Sequence, residues 1–369
     1  MGGWEKWLTN SGGVFPLLQE LHIENCPNLV EVKLEVLPSL NVLNINTCDS
    51  GVLRRLVEVA SAITKLEIRE ISGLNDVVWR GITVYLGAIE ELSIFHCNEI
   101  RYLWESEAVA SKVLVKLIKL KVGRCDNLVS LGEKEEGDNC RSNFLRYLKT
   151  LEVCDCSKME CCSCPDNIEM LRVASCTSLT SIFFPTGGQK LKSLEIIFCE
   201  KLLEKEWRRQ KTNSNNTIIM PILEDAYISD WTVHKSIIEL KYLVHLTSLT
   251  ITWCESLESF SGNELPNLTL LTHLQIHNCS NLDASFCGNW PLNLRFSVVG
   301  KLKKSISEWG QQNFPTSLVK LWLYGDDGVS SSSQISHLLP SSLTSLGIRK
   351  LVAEVSCGAV LVKCNLERL

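Results

Sequence analysis

Apolar residues recur along this chain in one fixed pattern, L-x-x-L-x-I-x-x-C-x-x-L, written most fully by Leu246, Leu249, Ile251, Cys254 and Leu257. Close copies are Leu18/Leu21/Ile23/Cys26/Leu29, Leu40/Leu43/Ile45/Cys48, Ile89/Leu92/Ile94/Cys97/Ile100 and Leu117/Leu120/Val122/Cys125/Leu128. Others are Leu148/Leu151/Val153/Cys156, Ile168/Leu171/Val173/Cys176, Leu191/Leu194/Ile196/Cys199 and Leu271/Leu274/Ile276/Cys279. Looser copies keep the spacing without the cysteine: Ile63/Leu66/Ile68/Ile71, Leu223/Ala226/Ile228/Trp231, Pro291/Leu294/Phe296/Val299, Leu318/Leu321/Leu323 and Leu343/Leu346/Ile348/Leu351, with a last copy at Leu361/Cys364/Leu366. Within each copy the middle residues alternate apolar and polar, as in Leu249 and Ile251 against Ser248, Thr250 and Thr252, which predicts a short strand with one apolar face. The cysteine and final leucine then turn inward after the strand ends.

About fifteen copies at a mean period of about 24 residues fall in the leucine-rich-repeat range. One such unit cannot bury its apolar side alone, so neighbours must stack. The expected fold is an α/β leucine-rich-repeat solenoid, a horseshoe with a parallel β-sheet on the concave face and a mostly irregular convex face with short helical turns. Residues 1–369 read as a single domain: an irregular lead-in over 1–15, repeats over 16–351 and an incomplete last repeat over 352–369. Between strands, the segment before Lys116 has room for a short helix, and Gly132 to Asn139 reads as a charged, solvated loop.

Composition narrows the function. Hydrophobic residues make up 45% and charged residues 21% of the chain, and a net charge of −5 supplies no basic footprint for nucleic acid. No apolar run approaches the length of a membrane span, and no secretory leader opens the sequence. Of the 17 cysteines, nine occupy the repeat column, where a small buryable side chain is wanted, so core thiols in a reducing, cytoplasmic setting are expected rather than a disulfide framework. Cys154, Cys156, Cys161, Cys162 and Cys164 are the one dense thiol cluster. Cys156 belongs to the core column and Cys154 to an outward strand position, so their side chains diverge. Without paired C-x-x-C arms, the run Cys161, Cys162 and Cys164 reads as solvent-near loop thiols rather than a zinc site. No phosphate-binding loop, G-x-S-x-G or metalloprotease spacing occurs, and no catalytic, cofactor or metal residues are assigned.

Function must therefore lie on the outward strand positions. The candidates for partner binding on the concave face are Lys65, Glu67 and Arg69; Phe95; Lys119 and Lys121; Tyr227; His273 and His277; and Lys320, Trp322 and Tyr324. Aromatic and charged groups on a rigid sheet suit recognition of a protein.

The cysteine-bearing formula, phrases such as Leu18-Leu-Gln-Glu-Leu-His-Ile-Glu-Asn-Cys-Pro-Asn-Leu29, and the uneven repeat lengths resemble the leucine-rich-repeat region of plant intracellular nucleotide-binding disease-resistance proteins, of the coiled-coil class. The resemblance implies a recognition module that senses a pathogen effector or a modified host protein and restrains a nucleotide-binding domain in cis. ADP or ATP would belong to that domain, which these residues do not contain. The alternative is the substrate-recognition arm of an F-box ubiquitin ligase, whose repeats also carry a column cysteine. Against it, the Ile-Thr-Asp phrase that usually follows that cysteine is missing.

Overall fold

The computed structural model describes residues 4–8, 15–134, 145–165, 167–183, 189–202, 222–230, 243–259, 265–283, 290–308, 313–325 and 339–350. In chain order the first strands are β1 (Lys6–Leu8), β2 (Glu20–Glu24), β3 (Glu31–Lys33), β4 (Val42–Asp49), β5 (Lys65–Ser72), β6 (Glu91–Phe95), β7 (Tyr102–Ser106), β8 (Lys119–Gly123), β9 (Ser130–Lys134) and β10 (Thr150–Cys154). They continue with β11 (Cys161–Ser163), β12 (Met170–Ala174), β13 (Ser181–Phe183), β14 (Ser193–Ile197), β15 (Asp225–Ser229), β16 (Ser248–Thr252), β17 (His273–Cys279), β18 (Phe296–Leu302), β19 (Lys320–Gly325) and β20 (Ser345–Lys350). Fourteen of them, in the order β2-β4-β5-β6-β8-β10-β12-β14-β15-β16-β17-β18-β19-β20, form one parallel sheet.

The register of that sheet follows the hydrophobic pattern. Leu249 lies beside Leu274 and Ile251 beside Ile276, and the same two inward columns run through Leu120/Leu151/Leu171/Leu194 and Val122/Val153/Val173/Ile196. All of these side chains are at most 1% exposed. In twelve of the fourteen ladder strands, β2 to β18, the five-residue pairing segment is followed by a residue at positive φ, from Asn25 to Lys301, with φ between 50° and 58°. That residue turns the chain inward while its N–H extends the ladder, as in Arg124 N donating to Cys154 O at 2.9 Å and Asp155 N to Ala174 O at 2.8 Å.

The next residue is the column cysteine, and its preference has a physical cause. All nine thiols donate to the carbonyl two residues back, at 3.3–3.6 Å. A cysteine fills the space of a small apolar side chain while satisfying a carbonyl at the strand end, which Val or Ala could not do. The N–H three residues on then returns to the cysteine carbonyl, as in Leu128, Leu179 and Leu257. Burial raises the thiol pKa values, to about 12 at Cys97 and about 11 at Cys125 and Cys199, so they are inert core groups.

Among the described residues, the α-helices are α1 (Ser50–Val59), α2 (Asp76–Thr83) and α3 (Glu107–Val113), all in the first third. Asp49 and Asn75 cap the first two by accepting from Gly51 N and from Val77 N and Val78 N. Buried Trp79 ties α2 to β7 by donating Nε1–H to Leu103 O at 3.0 Å. At ten residues α1 exceeds a single turn, because Val52, Leu53, Leu56 and Val57 supply a helical apolar face. The segment before Lys116 forms α3 as expected.

Several expectations change. The lead-in is not wholly irregular, since β1 pairs in parallel with β3. Part of the supposed charged loop is β9, paired with β7 through Tyr102↔Ser130 and Trp104↔Gly132. Its Glu133 meets Arg80 of α2 at 2.6 Å. Cys161, Cys162 and Ser163 form β11 against β13, and Cys162 and Cys164 are 0% exposed, so these two are core residues rather than loop thiols.

The largest change is at β18. Phe296 pairs with His273, not with Ile276, so it faces outward while Ser297 and Val299 face inward. An odd-numbered register slip moves every side chain to the other face. Ser297 is 0% exposed in the column that leucine fills elsewhere. The signal lay three residues upstream: Pro291, like Pro165, Pro315 and Pro340, accepts from the N–H of the residue three on, which marks Leu294 as the first leucine of its repeat. The last copy, Leu361/Cys364/Leu366, and Trp231, Cys140, Cys287 and Cys357 lie outside the described residues.

Candidate recognition surface

Positions one, three and five of each five-residue strand segment make three parallel rows on the concave face. All twelve candidate residues lie on these rows, and the structure divides them into two groups.

From β5 to β14 the charged members answer one another. Lys65 Nζ lies 3.6 Å from Glu91, Glu67 lies 3.9 Å from Arg69, Lys121 Nζ lies 2.9 Å from Glu152, and Arg172 lies 2.6 Å from Glu195. The Arg69 guanidinium also sits 5.1 Å from the Phe95 ring centroid. Phe95 in turn lies flat over Gly123, where a Cβ would come within 2.9 Å of two ring carbons. Lys119 is half-buried in the first row, in register with Glu91 and Thr150. Six candidates here thus sit in or beside mutual pairs, each worth about 0–1 kcal/mol in so exposed a setting.

From β15 to β19 the third row reads Tyr227, Thr250, Gln275, Val298, Trp322 and the fifth reads Ser229, Thr252, His277, Gly300, Tyr324. None is an Asp, Glu, Lys or Arg. Small members are buried between large ones: Ser229 and Thr252 are each 3% exposed and Thr250 is 6%. His277 stacks on Tyr324, two strands away, with centroids 4.6 Å apart and planes 14° from parallel. Gly300 lies between them in register and makes the contact possible. Its φ is +154°, and a Cβ there would strike the Tyr324 backbone, 2.8 Å from N and 2.9 Å from the carbonyl carbon. Trp322 repeats the arrangement by lying over Gly347, yet stays 42% exposed.

Burial holds the His277 pKa down at about 4, so its imidazole is neutral. Asn278 Nδ2 donates to its Nδ1 at 3.0 Å, which leaves the N–H on Nε2. Beside it, Thr252 Oγ1 is buried without a hydrogen-bond partner, as are Asn278 Oδ1 and Ser297 Oγ. The His273 ring faces Phe296 at 5.8 Å, and among the described residues no three His, Cys, Asp or Glu side chains converge as ligands would. Phe296 is the functional candidate that the sequence reading placed in the core. Lys320 holds the exposed first-row corner beside it, in register with Phe296.

The stacked repeats, single parallel ladder and inward leucine columns decide the architecture. The chain is a leucine-rich-repeat solenoid. Among solved structures it is similar to a leucine-rich-repeat protein of Leptospira interrogans, 17% identical, covering 88% of this chain and 79% of that one at a TM-score of 0.47. It is also similar to the circular leucine-rich-repeat protein CroV588, 14% identical, covering 89% of this chain and 48% of that one at a TM-score of 0.45. A third is the leucine-rich-repeat domain of the type III effector XopL, 16% identical, covering 77% and 78% at a TM-score of 0.34. No protein-family model and no curated protein matches the solenoid. Among its described residues no helix is long and apolar enough to cross a membrane.

Proposed function

We propose that this solenoid is a protein-recognition module, and that it serves as the sensing region of a plant intracellular immune receptor that restrains a nucleotide-binding domain in cis. The observation that carries the recognition role is the uncharged tract on β15–β19. Large aromatic and imidazole groups stand there on a rigid sheet, with Trp322 42% exposed. A ligand that covers those rings buries rigid aromatic surface without first breaking ion pairs within the sheet. The plant-receptor role is supported by the repeat formula and its column cysteine. Buried, unbridged thiols such as Cys125, Cys176 and Cys199 suit a reducing cytoplasmic setting.

The test is quantitative affinity capture from plant cells with the wild-type chain, the concave variant His277→Ala/Trp322→Ala and the convex control Val36→Ser. A protein partner retained by wild type and control and lost from the concave variant is expected. A partner set that is the same for all three chains overturns the concave assignment.

A further inference from the structure

The residues at positive φ that follow the pairing segments form a fourth column, along the rim of the sheet. Through the first half of the solenoid their side chains satisfy one another. Thr47 Oγ1 donates to Glu70 Oε2 at 3.1 Å, Arg124 lies 3.4 Å from His96, and Arg124 lies 3.5 Å from Asp155. At β14, β15 and β16 the column instead reads Phe198, Asp230, Trp253. Three backbone bonds fix this order: Phe198 N donates to Ser229 O at 3.1 Å, Asp230 N to Thr252 O at 2.9 Å and Trp253 N to His277 O at 3.2 Å.

Phe198 and Trp253 are the only aromatic hydrocarbon-rich side chains among the twelve residues of the column, and both hold a backbone geometry that bulky residues avoid, at φ of 51° and 57°. Neither is placed there by the core, since their exposures are 43% and 48%. Asp230 between them has no cation within 4.0 Å among the described residues. Burial, then Glu200 and Glu255 nearby, push its pKa up, the mark of a carboxylate short of a counter-charge.

We infer that the rim at Phe198, Asp230 and Trp253 is a binding slot for a cationic side chain of a protein partner, an arginine or lysine inserted between two aromatic walls onto a carboxylate. The dimensions agree. Adjacent strands lie about 4.8 Å apart, so the two aromatic residues rise from backbones about 10 Å apart, and a cation seated between them can lie within about 6 Å of both rings. The carboxylate at the base, with Glu200 and Glu255 beside it, selects positive charge, and the rings favour the flat, weakly hydrated guanidinium. The slot borders the uncharged tract, since Asp230 and Trp253 directly follow Ser229 and Thr252, and its test reads the response to arginine alone.

The test uses the full chain and N-acetylarginine amide as probe, followed by NMR through the Trp253 indole N–H resonance, assigned by its loss in Trp253→Phe. N-acetylcitrulline amide, equal in shape and uncharged, is the comparison. The arginine probe is expected to shift that resonance saturably while the citrulline probe leaves it in place. Asp230→Asn should weaken the arginine response about three- to tenfold, with Glu24→Gln at the far end of the sheet as an unchanged control. Circular dichroism establishes that Asp230→Asn is folded. Equal responses to both probes, an unmoved Trp253 resonance at saturating arginine, or an unaltered titration in folded Asp230→Asn overturns the slot.

Discussion

The β5–β14 and β15–β19 stretches share one parallel register and one inward pair of columns, yet they dress the concave face in opposite ways. In the first stretch a charge on one strand is met by its opposite on the next, as Lys121 meets Glu152 and Arg172 meets Glu195. In the second, size replaces charge: Gly300 lies under the stack of His277 on Tyr324, and Thr250 and Thr252 lie buried between larger neighbours. The first surface is complete by itself. The second keeps a large aromatic group partly exposed, Trp322 at 42%.

The comparison breaks first at Gly300. Gly300→Ala should destabilise the chain by about 3 kcal/mol or more in urea unfolding, because the new Cβ meets the Tyr324 backbone at a φ that alanine avoids. Gly87→Ala, where a Cβ meets nothing within 4 Å, should stay within about 0.5 kcal/mol of wild type. Equal effects at both sites would remove the steric argument for the stack.

A second contrast lies between the middle and the end of the ladder. Leu171→Ala, at 0% exposure, should cost about 2–5 kcal/mol. Ile348→Ala occupies the equivalent inward face of β20 but is 53% exposed, and should cost less than about 1 kcal/mol. Denaturant midpoints of the two variants check this.

Third, His277 makes the uncharged tract sensitive to acid. Its pKa is about 4 when folded, below the ordinary value of 6.5, so the unfolded chain binds the extra proton between those two values. Stability from this group is therefore complete above pH 6.5 and declines as pH falls toward 4. His277→Gln should flatten that part of the pH profile. Direct titration of the imidazole by NMR at an ordinary pKa would contradict the burial that the stack imposes.

The smallest effect belongs to the charged stretch. A double-mutant cycle on Arg172→Ala and Glu195→Ala should give a coupling of about 0.2–1 kcal/mol, since both side chains are part-exposed. Raising the salt concentration should shrink it. A salt-independent coupling would mean that this pair is buried more deeply than the ladder shows.

Much of this was legible in the residues. The L-x-x-L-x-I spacing placed thirteen of the fourteen ladder strands on their correct faces, because an alternating pattern permits one inward set of side chains. It failed at β18, where Ser297 stands in a leucine column and Phe296 imitates a core residue. There the turn at Pro291, not apolarity, sets the register. The concave candidates were likewise identifiable as outward positions. Their division into self-paired and unpaired sets was not, since Lys121 and Glu152 are thirty-one residues apart and meet only by stacking.

What the sequence determined by itself was the solenoid: repeat length, strand faces and the need for neighbours follow from where leucine, isoleucine and cysteine recur. Tertiary structure alone decided which outward side chains remain available. His277 reaches Tyr324 across Gly300, and Asp230 falls between Phe198 and Trp253, because parallel register brings residues from successive repeats together at a spacing of about 4.8 Å. The periodicity within one repeat carries no record of which side chain the next repeat will set beside it.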